Sequence, residues 1–421
     1  MSAALPSYDE AAAMVLIRAA RLGKVQPGIE QVRLASAAGR ELAKAVQADQ
    51  DQPPFARSTR DGFACRAADA SKHIPLNLVG AARAGDAPAG PLPKGAAWEI
   101  MTGAPVPAGA DAVVMIEHVE VEGNQVRLLP PRKLKRGENI VAKGAQAGKG
   151  DKLLPAGTVI GSAQIALAAT CGYSKLDVFA RPRVAILTTG DELVAVDATP
   201  APGQIRNSNA PMLAAMVAAA GGEPWVLPAA ADNAKALDRA LAKASKADML
   251  ILSGGVSAGK FDLVEPALAR LRARFHFTGV RIQPGKPLVF GELRRSSIPA
   301  QGVRRKQCFF GLPGNPVSSA VTFLLFAAPV IAALAGRREC GPRFALARLA
   351  ADLDKHGKPG LTRFLPASCT FGQEGTTPGV KLVPWQGSGD IAAMARSNCF
   401  LVVPEETSSL EAGAIVRILL T

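Results

Sequence analysis

Three short stretches in the middle of the chain are apolar without interruption. They are residues 184–187, 249–252 and 308–310. A strand with one face in water alternates apolar and polar residues, whereas a continuously apolar strand is typical of a parallel sheet covered on both faces. Helical stretches at 209–220, 234–245 and 262–274 separate these strands. Strands that alternate with helices predict βαβ units and a parallel sheet, which we assign to an α/β domain over residues 182–338.

The pattern changes on either side of this region. Residues 51–146 carry short apolar runs between proline and glycine turns, which predicts a β-rich domain. Residues 339–421 return to short strands and predict a small β barrel or sandwich. Near the start, Ser7 and Glu10 form a capping box before an amphipathic helix over residues 11–22. The predicted fold class is therefore a multi-domain α/β and β protein.

Each of the three apolar strands is followed by a loop rich in glycine. The loops are Thr-Thr-Gly-Asp-Glu at 188–192, Ser-Gly-Gly-Val-Ser-Ala-Gly at 253–259 and Gly-Leu-Pro-Gly-Asn-Pro at 311–316. Ligands of open parallel sheets bind outside the carboxyl ends of the strands, so we expect all three loops to line one crevice. Glycine lets backbone N–H groups approach an anion, and the Asp191 and Glu192 carboxylates can hold a hard cation. The loops predict a site for a phosphorylated ligand and a divalent metal.

Composition narrows the functional classes. The chain has 49 basic and 35 acidic residues, a formal net charge of +14. With two tyrosines and no nucleic-acid motif, this charge favours steering of an anionic small molecule over nucleic-acid binding. Six dispersed cysteines without a C-x-x-C pair fit a reducing cytosol, and four scattered histidines argue against zinc or copper. The acidic Asp9 and Glu10 argue against a secretory signal.

One stretch, residues 317–335, runs 19 residues without a charge, about the length of a membrane span. It follows Pro316 directly and contains Ser318, Ser319 and Pro329. We expect a helix buried inside the protein, and a cytoplasmic protein without a membrane partner.

Further short motifs accompany the three loops. They are Asp-Gly-Phe-Ala at 61–64, Ile-Met-Thr-Gly-Ala-Pro at 100–105, Arg-Gly-Glu-Asn-Ile at 136–140, Pro-Gly-Lys-Pro at 284–287 and Gln-Gly-Ser-Gly at 386–389. In this order, and over nearly the whole length, the chain resembles the MoeA family of molybdopterin molybdenumtransferases, which has the gephyrin E domain as its animal relative. The resemblance implies that residues 1–50 and 147–181 share one helical or linker domain, into which residues 51–146 are inserted. It also implies an elongated homodimer.

The resemblance further implies a reaction. A member of this family takes adenylylated molybdopterin and molybdate, cleaves the adenylate with Mg²⁺ and inserts molybdenum into the dithiolene. The implied catalytic residues are Glu192, Asp262, Asp61 and Asp232, with Glu192 and Asp262 holding the metal. The implied substrate contacts are Thr102, Gly190, Ser253, Gly254, Gly255, Ser257, Lys286, Pro313, Gly314, Asn315, Pro316, Ser318 and Ser388. Of these, Lys286 and Ser388 would hold molybdate, and the loops at 253–257 and 313–318 would hold the pterin phosphate.

Most of these residues also have an ordinary structural interpretation. Asp191, Glu192 and Asp232 are residue types that cap helices or turns. Asp262, with Glu265 three residues later, is an ideal N-cap. Asp-Gly at 61–62 is a common turn, and Lys286 could be a surface lysine.

The chain departs from the family pattern at three positions. Gln146 stands where an acid is common, Gln283 where a lysine is common with Arg281 nearby, and Pro366 where an arginine is common with Arg363 close by. These changes leave open a molybdopterin-binding scaffold without catalysis, although Glu192 and Asp262 favour an enzyme. A molybdopterin adenylyltransferase shares the α/β domain but does not need the flanking β-rich modules; such an enzyme is instead an expected partner.

Overall fold

The computed structural model describes residues 4–23, 28–87, 90–255, 263–294, 306–353, 360–370 and 377–421. Spatial contacts divide the chain into two compact units. The first contains the chain up to residue 31, residues 39–43 and residues 177–421, and the second contains residues 32–38 and 44–176. The finer division into four domains stays a prediction, because these contacts do not test its boundaries.

The first helix, α1, spans Tyr8–Gly23 and begins at the predicted capping box. The Ser7 backbone N–H donates to Glu10 Oε2 at 2.7 Å, and the Glu10 N–H donates to Ser7 Oγ at 3.2 Å. These bonds satisfy two N–H groups that lack partners within the helix. The chain then continues into β1 (Ile29–Arg33).

The second unit is rich in β structure, as the proline and glycine turns predicted. Its elements are β2 (Val46–Gln47), β3 (Arg57–Ser58), β4 (Gly62–Cys65), α2 (Ala67–Ala70), β5 (Leu76–Ala82), β6 (Ala96–Ile100), β7 (Ala112–Met115), β8 (Val119–Glu122), β9 (Gln125–Leu128), β10 (Ile140–Val141), β11 (Lys152–Leu154) and α3 (Ser162–Thr170). Six strands form one sheet in the order β7-β4-β6-β5-β9-β8. Strand β12 (Lys175–Phe179) follows along the chain.

The first unit is built around a six-stranded sheet. The elements of this region are β13 (Arg183–Thr188), β14 (Leu193–Val194), β15 (Ile205–Arg206), α4 (Asn209–Ala219), β16 (Glu223–Val226), α5 (Ala234–Ala244), β17 (Met249–Ser253), α6 (Val264–Arg270), β18 (Arg274–Phe277), β19 (Ile282–Gln283), β20 (Val289–Arg294) and β21 (Lys306–Leu312). The sheet order is β16-β13-β17-β21-β20-β18. The first four strands are parallel to one another. Strand β20 is antiparallel to both of its neighbours, β21 and β18. Strands β13, β17 and β21 are buried almost throughout, which confirms the expectation of a covered parallel sheet.

Helix α6 is shorter than the helix expected over residues 262–274. It begins at Val264 and ends at Arg270, and Arg274 already belongs to β18. Arg272 adopts a left-handed backbone conformation with φ of 55°, which stops a right-handed helix. The apolar spacing of the sequence did not reveal this stop.

The uncharged stretch forms the predicted buried helix. It consists of α7 (Pro316–Thr322), one π-helical turn (Phe323–Ala327) and α8 (Ala328–Leu334). Among the described residues, one helix, Pro316–Leu334, is long and apolar enough to cross a membrane. However, 83% of its most apolar segment is buried inside the protein. The Tyr8 ring of α1 packs edge-on against Phe326 at 6.1 Å between ring centroids. The helix over Pro316–Leu334 is thus a core helix of the first unit.

The C-terminal residues form a closed β barrel. Its region contains β22 (Phe344–Leu349), β23 (Thr362–Thr370), β24 (Gly379–Leu382), α9 (Ile391–Ala395), β25 (Cys399–Val403) and β26 (Ile415–Leu420). The strands pair in the order β23-β24-β22-β26-β25, and β25 pairs again with β23 to close the barrel. The multi-domain α/β and β fold class is therefore confirmed.

Candidate active site

A cavity of about 720 Å³ opens at the carboxyl ends of the parallel strands. All three glycine-rich loops contribute to its wall, including Glu192, Gly255 and Gly314. The parallel register explains this convergence, because Thr188 pairs with Ser253 and Ser253 pairs with Leu312 at the ends of β13, β17 and β21. The prediction that the loops meet in one crevice is confirmed.

Two glycines are required by the geometry of the loops. Gly254 has a φ of 92°, and a Cβ atom there would lie 2.6 Å from the Thr189 carbonyl oxygen. Gly190 has a φ of 148°, and a Cβ atom there would lie 2.5 Å from Glu192 Oε2. The Glu192 carboxylate therefore lies directly against Gly190, in space that any other residue would fill.

Three carboxylates lie close together, and two of them line the cavity. Asp191 Oδ1 accepts a hydrogen bond from the Asp232 backbone N–H at 3.0 Å, which fits the structural role expected of Asp191. Burial raises the pKa of the Asp232 carboxyl, and the negative charges of Asp191 and Glu192 raise it further. Glu192 and Asp232 both line the cavity. Their mutual repulsion makes this side of the cavity favourable for a cation.

The third loop joins the sheet to the C-terminal region. Asn315 occupies the N-cap position of α7 and Pro316 its first turn. The Asn315 side-chain amide donates to Ser388 Oγ at 2.8 Å, and the Val317 N–H donates to the Ser388 carbonyl oxygen at 3.0 Å. Pro313, Gly314, Asn315, Pro316 and Gly389 line the cavity. Ser388 thus contacts the third loop, while its implied contact with molybdate stays a prediction.

Other predicted substrate residues lie less directly at the cavity. Ser253 lines it, but the residue is only 2% exposed and its hydroxyl accepts a hydrogen bond from Asn209. Ser318 is buried on the inner side of α7. Lys286 is exposed, and it is its neighbour Pro287 that lines the cavity. Ser257 and Asp262 lie outside the described residues.

Asp61 and Thr102 belong to the second unit, where they contact each other. Asp61 Oδ1 accepts hydrogen bonds from the Thr102 N–H at 2.7 Å and from Thr102 Oγ1 at 2.9 Å. The Thr102 amide and hydroxyl hold the pKa of the Asp61 carboxyl below its usual range. The structure therefore joins two predicted site residues that lie 41 positions apart.

Arg281 lies near Gln283 in the sequence and Arg363 lies near Pro366, and each arginine contacts another residue. Arg281 Nη2 lies 3.4 Å from Glu405 Oε1. Arg363 is buried, and its Nη2 donates to the Thr407 carbonyl oxygen at 2.7 Å. Neither of these two arginines lines the cavity.

The sequence analysis missed one segment of the wall. Residues 205–209 line the cavity, and Arg206 is the cationic side chain among the described lining residues. The polar run Asn207-Ser208-Asn209, which leads into the alanine-rich helix α4, was the available signal, but the sequence predicted only a helix from residue 209.

The donor set around the cavity indicates which metal would fit. The described residues hold no group of three or more His, Cys, Asp or Glu side chains placed to bind a metal ion. Glu192 and Asp232 offer oxygen donors, and Mg²⁺ is commonly bound through one or two carboxylates together with substrate phosphates. The residues present therefore fit Mg²⁺ bound with a phosphorylated ligand, and they lack the nitrogen and sulfur ligands of a structural zinc site.

Family models cover most of the chain. Residues 6–172 match the MoeA N-terminal region (domains I and II), residues 185–333 match a probable molybdopterin binding domain, and residues 347–421 match the MoeA C-terminal region (domain IV). The three matches follow one another in the order of the predicted modules.

Individual proteins are similar over nearly the full length. A molybdopterin molybdenumtransferase of Nostoc sp. is 35% identical over 427 residues, which cover 99% of this chain and 94% of the relative. One from Bacillus subtilis is 35% identical over 408 residues, covering 93% and 89%. A crystal structure of a molybdopterin biosynthesis MoeA protein from Pyrococcus horikoshii has a TM-score of 0.80 at 27% identity, covering 99% of this chain and 100% of that one. A second structure from the same organism has a TM-score of 0.74 at 30% identity, covering 96% and 98%.

Proposed function

Since the chain belongs to the MoeA family of molybdopterin molybdenumtransferases, and so to molybdenum cofactor biosynthesis, we propose that its cavity carries out the transfer itself. The substrates would be adenylylated molybdopterin and molybdate. Water would attack a phosphorus atom of the pyrophosphate link and break its P–O bond, which leaves AMP and the pterin phosphate. The two dithiolene thiols would bind molybdenum in place of one oxide of molybdate, and that oxide would leave as water with the two thiol protons. The observation that supports this most is the convergence of three glycine-rich loops and two carboxylates on one cavity.

Each part of the wall has a task in this proposal. The backbone N–H groups of Gly255, Gly314 and Asn315 hold phosphate oxygens, because glycine lets them approach closely. Arg206 contributes positive charge to the same anion. Glu192 accepts a proton from the attacking water and orients it, since its carboxylate is held against Gly190 beside the loop. Lys286 and Ser388 hold molybdate, and Ser388 contacts Asn315 of the third loop.

The proposed metal is Mg²⁺, held by Glu192 and Asp232, and by Asp262, which lies outside the described residues. When bound, it would offset phosphate charge at the bond that breaks. The Asp232 carboxyl, whose pKa burial and neighbouring charges raise, gains most from such a cation.

We also propose a cytoplasmic homodimer that receives its adenylylated substrate from a molybdopterin adenylyltransferase. All six cysteines are free thiols, which fits a reducing compartment. On α1, Ile17 is 54% exposed and Leu16 is 37% exposed, while Met14 packs against the core. Ile17 and Leu16 thus offer apolar surface that a second copy could bury, and Met14 contributes to the core of its own chain. Analytical ultracentrifugation at micromolar concentration should give a dimer; a strict monomer would refute this part.

The test of the function is AMP release from purified protein. With adenylylated molybdopterin and Mg²⁺, we expect AMP to appear when molybdate is added, and mass analysis should show molybdenum in the pterin product. Tight pterin binding with no AMP and no molybdenum would instead support the scaffold alternative. Formation of the adenylylated pterin from ATP would support the adenylyltransferase alternative.

A further inference from the structure

Two asparagines at the start of α4, Asn207 and Asn209, connect the three loops of the cavity. Asn209 is the first residue of α4, and its Nδ2 donates two hydrogen bonds. One goes to Ser253 Oγ at 2.9 Å, at the end of β17, and the other to the Gly314 carbonyl oxygen at 2.6 Å, in the third loop. A single amide group thus holds two loops that lie 44 and 105 residues away in the sequence.

Asn207 makes the corresponding connection to the first loop. Its Nδ2 donates to Thr188 Oγ1 at 2.8 Å, at the end of β13, and its Oδ1 accepts from the Ala210 N–H at 3.2 Å. Ser208, between the two asparagines, occupies the N-cap position of α4 without a side-chain capping bond. Asn207 therefore fixes the start of the helix to the first strand while Asn209 reaches the other two.

We infer that Asn207 and Asn209, the asparagine pair, are positioning residues that set the spacing of the three loops for the phosphorylated ligand. The identity of the ligand in this inference rests on the proposed function. The role of the pair in loop spacing rests on the hydrogen bonds alone. The pair acts through Thr188, Ser253 and Gly314.

The two hydrogen bonds of residue 209 need a side chain that is as long as asparagine and carries an NH₂ donor. Aspartate has the same shape but accepts hydrogen bonds only, so its carboxylate would face the Gly314 carbonyl oxygen with negative charge, and only the Ser253 hydroxyl could rotate to donate to it. Serine and alanine are too short to reach both partners. Ser253 is 2% exposed, so its hydroxyl serves the contact with Asn209 and leaves the loop backbone to meet the ligand.

The first experiment needs no ligand. Hydrogen exchange of Asn209→Asp, compared with the wild type, should rise at least about tenfold in residues 253–255 and 313–316, because the variant loses both donated bonds. Asn207→Ala loses both the donor to Thr188 and the acceptor for Ala210, so its exchange should rise at residues 188–192 and not at 313–316. Unchanged exchange in all three loops would overturn the inference. If Asn209→Asp fails to fold, Asn209→Ser, which adds no charge and is too short to reach both partners, tests the same two loops.

The second experiment measures binding of adenylylated molybdopterin by titration. Asn209→Asp should bind about tenfold more weakly than the wild type at neutral pH. Lower pH protonates the introduced carboxyl, which can then donate one hydrogen bond again. The ratio of variant to wild-type Kd should therefore fall as the pH falls. Glu192, Asp232 and Arg206 share the cavity and are present in both proteins, so the two proteins differ only at residue 209.

The matched control is Asn398→Asp. Asn398 donates its Nδ2 to the Cys369 carbonyl oxygen at 2.9 Å, away from the cavity, so the same chemical change removes a comparable bond. It should lower stability without changing Kd or its pH dependence. Equal Kd in Asn209→Asp and wild type would overturn the role of the asparagine pair in binding. If the wild type binds no pterin while exchange rises as described, the proposed function is wrong and the loop-spacing role stands.

Discussion

Each unit of this protein contains an aspartate whose pKa is shifted, and the two shifts have opposite directions. In the second unit, Asp61 lies in a turn where Thr102 donates two hydrogen bonds to one carboxylate oxygen, and its pKa is lowered. In the first unit, Asp232 lies at a cavity beside Asp191 and Glu192, and its pKa is raised. The negative charge of Asp61 is stabilised by its own fold. The negative charge of Asp232 is opposed by burial and by the charges of Asp191 and Glu192, which outweigh one hydrogen bond from the Asp191 backbone. A bound cation would relieve this repulsion.

This difference separates two interpretations that the sequence left open. Both aspartates could be turn residues or functional residues by type alone. A carboxylate whose charge is already stabilised by donors within its own unit has an adequate structural reason to be there, whereas clustered carboxylates at a cavity are costly to the fold and indicate a ligand. The contrast favours Asp232 with Glu192 as the chemical site and a positioning role for Asp61.

The largest effect should come from Glu192→Gln, which keeps the shape and removes the charge. We expect AMP release in the presence of molybdate to fall at least about 100-fold, while binding of adenylylated molybdopterin stays close to wild type. Glu223→Gln is the control, because Glu223 begins β16 at the amino end of the strand and is exposed. AMP release near the wild-type rate in Glu192→Gln would remove Glu192 from the chemistry.

The next effect concerns the loops themselves. Gly254→Ala places a side chain at a φ of 92° and 2.6 Å from the Thr189 carbonyl oxygen, so it should destabilise the protein by about 2 kcal/mol or more. In Gly314→Ala the nearest atom is Gly254 Cα at 3.6 Å, an ordinary contact, and stability should change by less than about 0.5 kcal/mol. Urea unfolding of both variants measures this. Equal losses of stability would contradict the loop geometry.

A smaller effect is expected at Arg206. Arg206→Gln removes the charge but keeps a hydrogen-bonding side chain, so the Kd for the adenylylated pterin should rise about tenfold and depend less on salt. The exposed Arg239 on α5 offers a control, since it does not line the cavity. An unchanged Kd in Arg206→Gln would show that the anion is held by the loop backbone alone.

The smallest expected effect is on the pH dependence of stability, and it compares the two aspartates directly. Since the pKa of Asp61 is lowered, Asp61 stabilises the protein above the unfolded value of 3.8, and this contribution is lost as pH falls through the folded pKa. Since the pKa of Asp232 is raised, the wild type loses stability as pH rises from 3.8 through the folded pKa.

The two amide substitutions should therefore have opposite signs at neutral pH. Asp61→Asn should lower the Tm and Asp232→Asn should raise it, and both differences should shrink toward zero in strong acid. Calorimetry across pH measures this. A decrease in Tm for Asp232→Asn would show that its carboxylate is stabilised by the fold like that of Asp61.

The fold and the place of the cavity were predictable because they depend on local pattern. Apolar runs identified β13, β17 and β21, and the parallel arrangement required their loops to meet at one edge. The end of α6 was not predictable from apolar spacing, because a left-handed residue at Arg272 stops it. The roles of Asn207 and Asn209 were missed because their partners lie 19 to 105 residues away and depend on tertiary contacts.

The most direct test of where the ligand binds is hydrogen exchange of the wild type with and without adenylylated molybdopterin. We predict the strongest protection at residues 188–194, 205–209, 253–255 and 313–316, the loops that line the cavity of the first unit. Protection confined to the turns around Asp61 and Thr102, with none at these loops, would contradict the assignment of the active site to the carboxyl edge of the parallel sheet.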